Sequence, residues 1–600
     1  MKKFMLIATS VAFLAACSED KTEQQAVEVV SPTNQQQILT FIPADTPMLF
    51  TSGLTPDQYP DRYLEVMESQ MEGAVKYLDI VMEQAFKEFE NEATEEVLDE
   101  NGEVVAVEET GEAKMKLKVS EFVDRWFMQD NFAKVGMKVG ETQLAGYMVD
   151  LFPVLRFKLS DGHQVPAMLD DLEQQFELQF TQSEIDGSQV RELIAKELTF
   201  IISIQDEFLV ISVAPTVIKD QMIAQLIGST KPASSLADDP SLMQQVKQKH
   251  GYVLNDMLVL NLQQIADYFI NPAKHNSALV NFMQIEDNML SPVCKTEITA
   301  IIAKAPRLVA GSKQLTNDTI NGSFVWEIDG ALAADLATLA GRIPPGNPDA
   351  AMSMGMSFDL LNAKNLAVKY VDQIVNQPYA CEHLAALNQQ ATELQAKLSQ
   401  PIPPFVGNFK GFSFSLDELK LNMEAAQAEN PNPKDMIESL KTQVFLAVDE
   451  TQALLGMAQM MVPQLQGMEI KTDGSLITLA DKVPMISGKD IPIDIANLYA
   501  AISEDTIGLS MGHEGGGSLS EKVNQPGTAA LMTFSASADG YKSLMEQIFS
   551  MAEMPNMPEE IKKEMNMQKE LALGMLYWKT QNMRMGFTEQ GFSTDVDITY

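Results

Sequence analysis

Beyond residue 37 the chain is dominated by short runs of alternating apolar and polar positions, most closed by a turn-forming pair. Val154-Leu155-Arg156-Phe157-Lys158-Leu159 reads as a strand ending at Asp161, ahead of a stretch of helical period over 165–176. Phe176-Glu177-Leu178-Gln179-Phe180 reads as a strand running on to Asp186-Gly187, a pair that tolerates positive φ and turns the chain between strands. A hairpin is predicted where 200–204 turns at Gln205-Asp206-Glu207 into 208–211, then a strand over 257–260 before a helix over 263–269. Gly322 is placed at the tip of a closing hairpin, before Phe324-Val325-Trp326. One long amphipathic helix is predicted over 62–90, with Leu64, Met67, Met71, Ala74, Leu78 and Met82 on a single stripe. An acidic hairpin over 97–105 with an Asn101-Gly102 turn follows it.

The same succession returns later in the chain. Ile42-Pro43 is matched by Ile343-Pro344, and the strand ending at Asp161 by Val444-Phe445-Leu446-Ala447-Val448 ending at Asp449, before a helix over 453–465. Asp161 and Asp449 each stand where an N-cap carboxylate would accept the first free amide protons of the helix. Met468-Glu469-Ile470 runs to Asp473-Gly474, 498–502 turns into 506–509, a strand over 531–534 leads into a helix over 541–549, and Gly591 precedes a last strand over 592–598. Landmarks repeated in one order mark an internal duplication. The expected class is α+β: two tandem related modules, 38–341 and 342–600, each a mostly antiparallel sheet with helices packed on one face. Tight turns demand antiparallel neighbours, because parallel ones need long crossovers.

The first residues read differently. Lys2 and Lys3, an apolar stretch over 4–14 and the small pair Ala15-Ala16 form a secretory leader, followed at once by Cys17. Leu14-Ala15-Ala16-Cys17 resembles the lipobox of bacterial lipoproteins. That resemblance implies cleavage of residues 1–16 and lipidation of Cys17, and Ser18 in place of Asp implies the periplasmic face of the outer membrane, with export to the cell surface open because Glu19 and Asp20 follow. Two or more acyl chains give stable anchoring. Residues 17–37 are polar and read as a lipidated tether.

Net charge is −40, from 83 acidic against 43 basic residues. Such a surface repels phosphate backbones, so no nucleic-acid partner is expected. With Cys17 lipidated, Cys294 and Cys381 are the remaining cysteines, and an oxidising compartment favours a disulfide between them. Falling late in one module and early in the next, the bridge is expected to tie the two together.

Catalytic signatures are missing. The chain holds no Gly-x-Ser-x-Gly elbow, no His-Glu-x-x-His and no phosphate loop. His513-Glu514 continues into Gly515-Gly516-Gly517, a loop composition, and the other histidines (His163, His250, His275, His383) are scattered. No catalytic residue, cofactor or metal ligand is assigned. Methionine is abundant, with 37 residues. Met352-x-Met354-x-Met356 would share one strand face, Met457, Met460 and Met461 a helix, and Met551, Met554, Met557, Met565 and Met567 a late segment. Clustered thioethers suit Cu(I), yet methionine also fills cores and adaptable apolar grooves; packing is the reading adopted.

The opening Ile42-Pro43-Ala44-Asp45-Thr46-Pro47, the strand-helix units and the duplicated plan resemble a group of uncharacterised bacterial periplasmic proteins, which implies no catalytic residues. The expected function is that of an outer-membrane-anchored periplasmic lipoprotein, not an enzyme, that binds or scaffolds another envelope component, an envelope protein or a hydrophobic ligand being the partners considered. A carrier of lipid or another hydrophobic ligand is the first alternative and a hydrolase of unrecognised chemistry the second.

Overall fold

The computed structural model describes residues 34–68, 97–98, 104–106, 118, 121–127, 129–138, 140, 142–176, 178–205, 207–426, 436–461, 470–479, 497–550, 557–574 and 576–600. The leader, Cys17, the tether up to residue 33, the predicted long helix beyond residue 68, the Asn101-Gly102 turn, Met468-Glu469, Met551 and Met554 lie outside the described residues. Among the described residues no helix is long and apolar enough to cross a membrane.

The chain divides into two compact units. Within the described residues, unit 1 runs to Asp287 and adds Val309–Asn317, while unit 2 comprises Asn288–Leu308 and Asp318–Tyr600. Residues 288–308 and 318–341, which the sequence pattern groups with the first module, therefore pack in unit 2. Both units are α+β, and every described strand pairing within them is antiparallel.

Unit 1 contains strands β1 (Met48–Ser52), β2 (Val97–Leu98), β3 (Val104–Ala106), β4 (Leu144–Val149), β5 (Phe152–Lys158), β6 (Thr181–Ile185), β7 (Ser188–Ala195), β8 (Leu198–Gln205), β9 (Phe208–Pro215), β10 (Met257–Asn261) and most of β11 (Arg307–Leu315). β2 and β3 pair with each other as the predicted acidic hairpin. The main sheet runs β6-β7-β8-β9-β5-β4-β1-β10. Asp186 and Gly187 form the two-residue β6–β7 turn at φ +49° and +82°, as the Asp-Gly pair requires of a type I′ turn. The predicted strand over 176–180 is not formed; helix α1 (Val165–Gln175) is capped by Phe176 and pairing starts at Thr181.

Helix α1 brings Val165 and Leu169 onto Leu209, with Phe122, Trp126, Val135 and Leu159 closing that cluster. Its N-cap is Gln164, whose side chain makes no capping bond, so Asp161 is not the cap. Helices α2 (Lys219–Ile227), α3 (Ser241–His250) and α4 (Leu262–Ile270) also belong to unit 1. Residues 34–37, expected at the end of the tether, already belong to a 3₁₀ helix, Asn34–Phe41, and Ile38, Leu39 and Ile42 behind them are buried.

Unit 2 contains β12 (Thr319–Glu327), β13 (Met352–Ser357), β14 (Phe409–Leu421), β15 (Ile437–Val448), β16 (Leu476–Thr478), β17 (Leu498–Ile502), β18 (Thr506–Met511), β19 (Met532–Ser537), β20 (Thr580–Thr588) and β21 (Gly591–Thr599). Its sheet runs β12-β21-β20-β19-β13-β14-β15-β18-β17-β16. Gly322 is not a hairpin tip: it lies inside β12 opposite Val596. Helices α5 (Pro292–Ile302), α6 (Leu360–Asn376), α7 (Ala385–Leu398), α8 (Thr451–Met461), α9 (Ala538–Ser550) and α10 (Glu559–Gly574) pack in this unit. α8 begins at Thr451, two residues after Asp449, whose carboxylate lies 3.1 Å from Lys410 Nζ.

Cys294 and Cys381 form a disulfide, with both residues buried. The bridge joins the first turn of α5 to the segment ahead of α7, and both ends lie in unit 2. By sequence it spans the expected module boundary at 341, but both ends pack in unit 2, because α5 packs with the later part of the chain. Two more contacts hold the same seam: Glu297 of α5 accepts from the backbone N–H groups of Ala380 and Cys381, at 3.0 and 2.9 Å.

Candidate functional site

Period-two alternation puts Met352, Met354 and Met356 on one face of β13 and Ser353, Gly355 and Ser357 on the other. The register carries each face across the sheet. One transverse row reads Leu509, Val444, Phe414, Met354, Phe534 and Met583. The next reads Ile507, Leu446, Phe412, Met356, Met532 and Met585. These twelve large apolar side chains are half-buried or exposed: Met356 is 45% exposed, Leu509 43% and Val444 39%.

The opposite face is the buried one, and apart from Phe445 and Ala447, of which Phe445 packs with Leu519 and Val523, its side chains are mostly small and polar. Ser353, Ser357, Ser413, Ser415, Gln443, Thr506 and Ser510 are all buried there. A half-solvated sheet ordinarily turns its apolar face to the core and its polar face to water. Along β13 and β14 the arrangement is inverted, whereas β15 keeps Phe445 in an ordinary apolar core. Each Å² of apolar surface left open forgoes about 25 cal/mol of burial, so a contiguous row is a standing cost that an apolar ligand would relieve.

Buried hydroxyls and amides must find partners, and a network on the polar face supplies them. Ser415 Oγ accepts from the Asn347 backbone N–H at 3.0 Å and lies 2.9 Å from Ser353 Oγ. Asn347 Nδ2 donates to Asp417 Oδ1 at 2.6 Å, and His513 Nε2 lies 2.8 Å from Asp417 Oδ2. Gln443 donates to the Gly516 carbonyl at 3.3 Å and accepts from Lys522 Nζ at 3.0 Å. Burial acts to raise the Asp417 carboxyl, but hydrogen bonds from His513 and Asn347 outweigh it and hold the group below its ordinary range. Burial pulls the Lys522 ammonium below its ordinary range, against the attraction of Asp417, Glu521 and Asp349.

An Asp–His pair beside buried serines invites comparison with a hydrolase relay. The observed bonds do not complete one: Ser415 Oγ is engaged by Ser353 and Asn347, while His513 meets Asp417. What the network does is fasten the loop after β18. That loop needs its glycines, since Gly515, Gly516 and Gly517 all have positive φ between +59° and +74°. It is a loop with a single 3₁₀ turn over Glu514–Gly516, as its composition predicted.

The remaining candidates fall in separate places. His275 Nε2 lies 2.8 Å from Asp267 in unit 1, and hydrogen bonds from Lys274, Asn271 and His275 overcome burial to lower that carboxyl to about 2. His250 stacks on Tyr252, and His383 sits 3.8 Å from Glu382. Also in unit 1, Tyr59 donates its hydroxyl to Asp256 Oδ2, and Asp256 Oδ1 accepts from the Leu54 N–H at 3.1 Å. Burial raises the Asp256 carboxyl despite these bonds and the Lys247 charge. Burial also raises the Tyr59 phenol, with the Asp256 charge adding to it. A cleft of about 210 Å³ in unit 1 is lined by Leu169, Gln182, Glu184, Arg191, Ile202 and Ile204.

Among the described residues, one group of His, Cys, Asp or Glu has metal-like spacing: Cys294, Cys381 and Glu382. Its two sulfurs are spent on each other. The Asp417–His513–Asn347 network and the apolar rows were both missed by the sequence reading, although alternation in β13 marked the start of the rows. No protein-family model, curated protein or solved structure matches the chain, so its function is argued from this geometry.

Proposed function

We propose that the chain is a bacterial envelope lipoprotein, held at the periplasmic face of the outer membrane through Cys17, with a non-enzymatic binding role. Its ligand is an apolar molecule of lipid type laid along the Met and Phe rows of unit 2. The single observation behind this reading is the pair of apolar rows, whose large side chains stand half-open while the serines of β13 and β14 are buried. A slender acyl chain can lie along two adjoining rows of half-open side chains, which favours the hydrophobic-ligand reading over scaffolding.

The tandem duplication belongs to the same proposal. Strand order β7-β8-β9-β5-β4-β1-β10 in unit 1 has the same sequence of roles as β16-β17-β18-β15-β14-β13-β19 in unit 2. Isolated bridges Pro43↔Ser235 and Ile343↔Thr528 support it, lying ahead of β1 and β13, which hold the same place in the two orders. Asp161 after β5 and Asp449 after β15 hold corresponding places.

The test uses the full chain carrying Cys17→Ser, incubated with vesicles of phosphatidylethanolamine and phosphatidylglycerol, re-isolated and assayed for phospholipid. Bound phospholipid is expected, and Phe414→Glu, which places a charge in the centre of the first row, is expected to reduce it at least tenfold. A lipid-free parent chain, or equal loading of the variant, defeats the reading.

A further inference from the structure

The pairing of β13, β19 and β20 sets three methionines side by side: Met356 stands opposite Met532, and Met532 opposite Met585. Met354 and Met583 flank Phe534 in the adjoining row. Directly opposed residues have Cβ atoms about 5 Å apart, and three rotatable bonds let the outer two thioethers lean toward the middle one. Met356 is 45% exposed, which gives a cation a way in.

We infer that Met356, Met532 and Met585 form a three-thioether site for a soft monovalent cation, Cu(I). The chemistry of the surroundings selects the ion. Thioethers are soft, polarizable donors, whereas Mg²⁺, Ca²⁺ and Mn²⁺ require oxygen and Zn²⁺ prefers thiolate or imidazole. The row that carries the three sulfurs otherwise contributes Ile507, Leu446, Phe412 and, opposite Met585, Thr594, with no carboxylate or imidazole. Asp417 and His513 belong to the network on the opposite face, where they engage each other. Sequence spacing pointed to methionines two apart on one strand, whereas the site joins one methionine from each of three strands.

The site shares a face with the proposed apolar ligand but depends on sulfur rather than on apolarity. Leucine keeps the second property and removes the first, which separates the two readings. The full chain carrying Cys17→Ser, with its other two cysteines joined, offers no free thiol to compete. Titrated with Ag(I), a redox-inert stand-in for Cu(I), in the presence of a competing chelator, it is expected to bind one ion tightly, with X-ray absorption giving a sulfur-only shell. Met532→Leu is expected to weaken that ion at least tenfold, and Met356→Leu/Met532→Leu/Met585→Leu to abolish it while phospholipid loading stays at the parent level. Circular dichroism of the triple variant controls for folding. Silver held as tightly by the folded triple variant as by the parent, or a shell of oxygen and nitrogen, overturns the site; loss of lipid in Phe414→Glu alone bears only on the apolar-ligand reading.

Discussion

Asp256 and Asp417 are partly or wholly buried carboxylates displaced in opposite directions, and the difference lies in what reaches them. Asp417 meets an imidazole and an amide that favour its charged form. Asp256 meets a phenol and one backbone N–H, too little to repay its burial. The linkage signs follow. A carboxyl raised in the folded state contributes stability that is complete below the ordinary carboxylate range and is lost as pH rises through the folded value. One lowered in the folded state contributes stability that is complete above that range and is lost as pH falls. Asp256→Asn retains an acceptor for the Leu54 N–H but cannot ionise. Its melting temperature is therefore expected to gain on that of the parent as pH rises from 4 to 7, by about 2–4 °C for each kcal/mol relieved in a unit of this size. Thermal melts across that range check it; a difference independent of pH rejects the assignment. Arg156 shows a third way to bury a charge. The side chain is fully buried, donates to the Ile227 carbonyl at the C-terminus of α2 at 2.7 Å and lies 3.9 Å over the Phe41 ring. Partial negative charge on the last carbonyls of a helix takes the place of a carboxylate. Gly228 is required beside it, since a Cβ there would stand 2.4 Å from Arg156 Nη2.

At the scale of elements, the α5–α7 seam depends on the disulfide. Closing a separation of 87 residues restricts the unfolded chain by about 4 kcal/mol in the loop-entropy model. Cys294→Ala/Cys381→Ala is expected to lower the stability of unit 2 by about that amount and leave unit 1 unaffected; chemical denaturation followed by hydrogen exchange in each unit measures both, and an unchanged unit 2 refutes the role. The pair was legible in the sequence because two cysteines remained once Cys17 was set aside. Its place within unit 2 was not legible, because the packing of α5 with later residues leaves no local trace. Strands show the same division. The predicted 498–502 coincides with β17, and the predicted 200–204 lies inside β8, because turn pairs and β-branched runs are local signals. The inversion along β13 and β14 was hidden for a different reason. Alternation names two faces and cannot say which one later segments will cover. In β14 the Ser413 and Ser415 side reads as the wet side, yet the Asn347 segment binds it and buries it. The methionine trio was hidden too, since positions 356, 532 and 585 meet only through the β13–β19–β20 adjacency.

At the scale of the whole molecule, the repeated pattern and the compact units divide the chain in different places, and the difference has a physical cause. The pattern ends its first module at 341, but β12, which belongs to that module by sequence, pairs with β21 along nine residues from Thr319↔Thr599 to Glu327↔Gly591. A strand that completes the sheet of the later unit cannot be removed without leaving β21 as an unpaired edge, which is a template for association with other chains. Cutting at 341 also discards Cys294 and leaves Cys381 as a free thiol. Two fragments separate the alternatives. Residues 288–600 keep α5, the disulfide and β12, and are expected to unfold cooperatively and stay monomeric. Residues 342–600 are expected to be less stable by at least the share of the disulfide, about 4 kcal/mol, and to self-associate through β21. Sedimentation and denaturant midpoints of both fragments decide the matter. If residues 342–600 prove as stable and as monomeric as residues 288–600, then the module is the folding unit and β12 is an accessory to it; the register along β12 and β21 argues for the opposite outcome.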